Sequence, residues 1–98
     1  MSETCCKGAS HRDSQLDQNL LRRLNRIEGQ VRGIKGMIEK DVYCDDILTQ
    51  VTAVGAALDA VSKTILDNHI RHCITEKIQA GEMEAVDELI KTVGRMLR

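Results

Sequence analysis

Three stretches of the chain repeat apolar residues at alternating spacings of four and three. The first runs Leu20, Leu24, Ile27, Val31, Ile34, Ile38, and the second Ile47, Val51, Val54, Leu58, Val61, Ile65. The third is Met83, Val86, Ile90, Val93, Leu97. Each pattern places one apolar stripe along a helix, close to a heptad seam. Ser14 and Asp17 read as a capping-box start for the first helix, which ends near Lys40 where Asp41, Val42 and Tyr43 break the pattern. The second runs from about Cys44 to Gln79, its later members Ile70, Ile74 and Ile78 lying on a shifted face, and Gly81 stops it. Such a helix is roughly 50 Å long, more than one small globule covers. The spacing predicts an all-α protomer of three helices, in an antiparallel bundle completed by a second copy. Residues 1–13 read as a flexible tail and residues 14–98 as a single helical domain.

Composition supports helices over strands. The 98 residues include no Pro, Trp or Phe, and Tyr43 is the single aromatic. With so few large core anchors, extra burial has to come from partner subunits. No apolar run approaches a membrane span and the N-terminus lacks the core of a signal peptide, so a cytoplasmic protein with reduced thiols is expected.

The net charge of −1 hides an uneven distribution. Residues 20–40 carry Arg22, Arg23, Arg26, Arg32, Lys35 and Lys40 against Glu28 and Glu39. Residues 41–60 carry four aspartates and no basic residue. A basic segment inside a neutral total can still present an anion-binding face. Gly29, Gly33 and Gly36 continue the face of Arg22 and Arg26. Each glycine costs a helix ~1 kcal/mol relative to Ala, so the series implies close approach of a helix or of a DNA backbone.

His69 and Cys73 are four apart on the second helix and face the same way, a spacing at which two residues can share a metal ion. Cys44 stands 25 residues earlier, ~37 Å along a straight helix, and cannot join them within one chain. Cys44 of a second, antiparallel protomer could, giving two equivalent sites per dimer. Two thiolates and one imidazole form a soft, three-coordinate set that suits Cu(I) better than Zn(II), which would want a fourth ligand. Spacing alone leaves a second reading open, in which both cysteines are small buried hydrophobes and His69 is an ordinary satisfied polar group.

The segment Arg23-Leu-Asn-Arg26-Ile-Glu28-Gly29-Gln30-Val-Arg32-Gly33-Ile34 resembles the first-helix signature of the copper-sensitive operon repressors, which share a family with nickel/cobalt, formaldehyde and persulfide sensors. Tyr43-Cys44 with His69-x-x-x-Cys73 is similar to the copper-sensing branch, and the resemblance covers about residues 15–97. It implies a three-helix protomer, an antiparallel four-helix-bundle dimer, and dimers assembling into a tetramer. It implies a transcriptional repressor that binds operator DNA when metal-free and is released by Cu(I), one ion per protomer, turning on copper efflux or buffering genes. Carried over by position, Cys44 of one protomer and His69 with Cys73 of the other hold the metal. Tyr43 and Glu88 would hydrogen-bond the outer nitrogen of His69 and couple it to the third helix, Glu88 requiring a one-residue gap after Gly81. Arg22, Arg23, Arg26, Gln30, Arg32 and Lys63 would meet DNA.

His69 argues against the persulfide branch, and Cys73 against the nickel/cobalt branch, where His replaces it. Cys5, Cys6 and His11 in the tail read as incidental. An enzyme is not expected, because no orienting acid or oxyanion nest accompanies the cysteines. A thiol-responsive repressor of the same fold, or a copper buffer without DNA binding, are the alternatives.

Overall fold

A computed structural model describes residues 12–97; the tail residues Cys5, Cys6 and His11 lie outside that range. Helix α1 spans Ser14–Glu39 and α2 spans Cys44–Asn68. A π-helical segment, His69–Ile74, leads directly into α3, Thr75–Gln79, and α4 spans Glu84–Met96. No strand occurs among the described residues, and no helix there is long and apolar enough to cross a membrane. The three expected helices are therefore present, the second interrupted by a wider turn. Two compact units divide the chain, one spanning Asp13–Thr64 and the other beginning at Ile65.

The start of α1 differs from the expected Ser14 capping box. Asp13 is the cap: its backbone is extended, and its carboxylate accepts from the Leu16 N–H at 2.7 Å. A carboxylate one residue earlier satisfies an orphan amide and sits favourably at the positive end of the helix dipole. At the other end, the Val42 N–H reaches the Met37 carbonyl and the Asp41 N–H reaches Ile38, with Asp41 at φ 58°. That is a Schellman closure with Asp in the left-handed position usually held by glycine. The same pattern recurs after α3, where Gly81 lies at φ 86°, its N–H donating to the Ile78 carbonyl and the Glu82 N–H to that of Lys77.

In the first unit α1 and α2 form a helical hairpin around Leu20, Ile27, Val54 and Val61, with Leu16, Ile34 and Ala57 packed alongside. Only half of each seam is used. Leu20 and Ile27 are buried and Ile34 half-buried, while Leu24, Val31 and Ile38 are exposed. On α2, Val54 and Val61 are buried, while Val51, Leu58 and Ile65 are exposed. Burying a residue of this size is worth ~1.5–3 kcal/mol, so the unused half represents a large unclaimed contribution. In the second unit the π segment and α3 pack against α4, burying Cys73, Ile74 and Ala85. Met83, Ile90 and Leu97 stay exposed at seven-residue intervals.

Candidate metal centre

Cys44 is the first residue of α2, and the Tyr43 carbonyl opens that helix by accepting from the Asp46 and Ile47 amides. The tight turn after Asp41 thus leaves Cys44 exposed, with the Tyr43 ring beside it in sequence 73% exposed. His69 follows the last residue of α2, so 25 helical residues lie between it and the start of the helix. Among the described residues of one chain, no three His, Cys, Asp or Glu side chains converge on a metal-sized site.

His69 and Cys73 share the π segment. His69 is half-buried, and Cys73 is 3% exposed. Neither Cys44 nor Cys73 is in a disulfide, and a reduced cysteine sulfur can serve as a metal ligand. In the wide turn the Thr75 N–H donates to the Ile70 carbonyl five residues back, and the Thr75 hydroxyl donates to the same oxygen at 2.7 Å. The hydroxyls of Thr49, Thr64 and Thr92 reach only four residues back, as an α-helix requires. Wide turns of this kind often sit at functional positions. Here one holds two of the three candidate ligands. Two thiols and an imidazole fit a soft, low-coordinate ion such as Cu(I).

Glu88 was expected beside His69. In this chain its Oε1 accepts from Lys77 Nζ at 3.3 Å instead. Lys77, which sequence reasoning passed over, stands one turn beyond Cys73 and completes a series at four-residue spacing, His69, Cys73, Lys77. That spacing is the signal that could have found it.

Of the candidate DNA contacts, Arg22, Arg23 and Arg26 are exposed and line a hollow with Asn19. Arg32 and Lys63 are exposed. Gln30 differs: it is half-buried, and its Oε1 is enclosed with no hydrogen-bond partner. Close approach at the glycines is not seen within the chain. Apart from the adjoining backbone of α1 itself, nothing among the described residues comes within 4 Å of a Cβ placed at Gly33 or Gly36, and at Gly29 only the Arg32 guanidinium, at 3.9 Å, does.

The helical hairpin leaves half of each seam exposed, and among the described residues one chain does not bring the three candidate donors together. Residues 16–95 match the metal-sensitive transcriptional repressor family, and the chain belongs to that family, one of transcriptional repressors and not of enzymes. It is 43% identical over 90 residues to the copper-sensing transcriptional repressor RicR of Mycobacterium tuberculosis, covering 92% of this chain and 94% of that one. It is 45% identical over 85 residues to the copper-sensing repressor CsoR of Bacillus subtilis, covering 86% and 84%. The crystal structure of CsoR with Cu(I) from Geobacillus thermodenitrificans is similar with a TM-score of 0.84 at 38% identity, over 91% of this chain and 94% of that one. The nickel-responsive regulator InrS is similar at 0.74 and 39%, over 90% and 97%.

Proposed function

We propose that this protein is a Cu(I)-responsive transcriptional repressor, bound to operator DNA when metal-free and released when Cu(I) binds, so that copper efflux or buffering genes are expressed. The observation that carries the reading is the donor set: Cys73 and His69 on one wide turn and a free Cys44 thiol at the head of α2. Structural identity does not choose the metal, since the copper and nickel proteins stand at 38% and 39%. Two sulfurs do, because thiolates favour Cu(I).

His69 and Cys73 of one protomer and Cys44 of a second form each site, one ion per protomer. The exposed half-seams of α1 and α2 are the surface on which the second protomer packs, giving a four-helix dimer core; two dimers make a tetramer. Arg22, Arg23, Arg26, Arg32 and Lys63, repeated by symmetry, hold phosphates. Tyr43 and Glu88 orient His69 from outside the ligand set. Since the protein acts on DNA and needs reduced thiols, it works in the cytoplasm. Release is a population shift between two arrangements of the assembly, so bound DNA weakens Cu(I) binding by the same factor as Cu(I) weakens DNA binding.

The test is an anaerobic Cu(I) titration against a competing chelator, with labelled duplex DNA selected from a random pool by the metal-free protein. Uptake of one Cu(I) per protomer with DNA released in step is the expected result. Tight uptake without release identifies a copper buffer. Weak uptake, with release by a persulfide donor instead, identifies a thiol-responsive repressor.

A further inference from the structure

Lys77 occupies an unusual place for a lysine. Its side chain is only 12% exposed, whereas its partner Glu88 is 53% exposed. Lysines are seldom this deep unless paired. Its backbone is fixed as well, the Lys77 carbonyl accepting from both Ala80 and Glu82 N–H groups as the chain turns at Gly81. The ion pair therefore spans the turn between α3 and α4 and ties α4 back to the run that carries His69 and Cys73.

We infer that Lys77 is a positioning residue of the copper switch: it holds Glu88, and with it α4, in the metal-free state, and competes with His69 for that carboxylate. The inference rests on the copper reading above and on Glu88 serving His69 when the metal is bound. The carboxylate has two oxygens and could accept from both, so the competition is one of position and charge: the ammonium at 3.3 Å holds Glu88 against α3 and offsets the negative charge that an imidazole N–H would draw on. The clasp is built to exchange. Glu82, Glu84 and Asp87 line the same hollow of about 410 Å³ as Lys77 and Glu88, so the ammonium has other carboxylates to turn to when Glu88 leaves. The weakly buried partner moves and the deeply seated one stays.

Three variants of the full chain test this: Lys77→Met, which keeps the apolar stem; Lys77→Arg, which keeps the charge; and Lys91→Met, which removes an exposed cation from the same hollow. Far-UV circular dichroism checks that each folds. In metal-free Lys77→Met, amide hydrogen exchange across Glu84–Met96 speeds up. The factor by which saturating Cu(I) weakens DNA binding rises by up to about fivefold, the size of a partly exposed ion pair. Lys77→Arg restores both readouts, and Lys91→Met moves neither. Wild-type exchange and wild-type coupling in Lys77→Met would overturn the inference. If Glu88→Gln then abolishes coupling, the copper relay stands and only the role of Lys77 has failed. If Glu88→Gln is also without effect, the relay through Glu88 fails and this inference with it. A wild-type chain that takes up no Cu(I) ends the functional reading first.

Discussion

Cys44 and Cys73 sit in opposite surroundings: the first is exposed at the opening residue of α2, the second is 3% exposed in the wide turn that follows the same helix. If the two share an ion across protomers, as proposed, each site takes one cysteine from each of two copies. Complementation follows from that. Cys44→Ser and Cys73→Ser should each lose tight Cu(I) uptake when alone. Refolded together in equal amounts, half the dimers are mixed, and each mixed dimer has one intact site. Uptake should return to about one ion per four chains. Recovery of none would place all ligands within one protomer.

His69 and the thiolates are expected to separate affinity from response. His69→Ala keeps both sulfurs and should still take up Cu(I) through them. The effect of Cu(I) on DNA affinity, ~5–150-fold in typical allosteric proteins, should fall towards one. Parallel chelator competition and DNA titration measure the two quantities. Full release by the alanine variant would show that His69 transmits nothing.

The arginines of α1 are expected to act as phosphate contacts. Binding should weaken linearly in log salt, and Arg26→Ala should reduce the slope by about one for each copy that touches DNA. Gln30→Ala should leave the slope alone, since its carboxamide is uncharged and its oxygen is enclosed. An unchanged slope in Arg26→Ala, measured by fluorescence anisotropy, would remove that residue from the interface.

The cap of α1 gives a stability test. Asp13→Ala should destabilise by ~1 kcal/mol, because the Leu16 amide loses its acceptor. Ser14→Ala should be near neutral, since Ser14 is already inside the helix. Urea denaturation of the two variants distinguishes them, and the reverse order would restore the capping box.

Much of this was legible in the chain. The 4,3 spacing located all three helices to within a residue or two, and His69, Cys73 and Cys44 stood out by their separations. Ser14 and Asp13 are both good cap formers, and spacing favoured the wrong one by a single position. Which half of each heptad stripe the hairpin buries could not be read, because Leu24 and Val31 are as apolar as Leu20 and Ile27. Lys77 was passed over for another reason, despite its four-residue spacing from Cys73. A lysine on a helix is usually solvated, and only the turn at Gly81 brings Glu88 back to it. The wide turn had left a trace: the apolar positions step by five between Ile65 and Ile70, a skip that fits one extra residue in a turn.

That extra residue gives the last prediction. Deleting Asn68, which immediately precedes the π segment, should let the run from Cys44 to Gln79 close as a continuous α-helix. The four-residue spacing of His69 and Cys73 is preserved, and so is the register of the helix beyond the turn, because the deletion removes what the wide turn absorbs. Helicity by circular dichroism should therefore be retained. His69, at the start of the segment, is the side chain that reorients, while Cys73, near its far end, keeps its place. The deletion should consequently behave like His69→Ala, taking up Cu(I) but failing to release DNA. A deletion variant that releases DNA as the intact chain does would mean that the wide turn has no part in aiming His69.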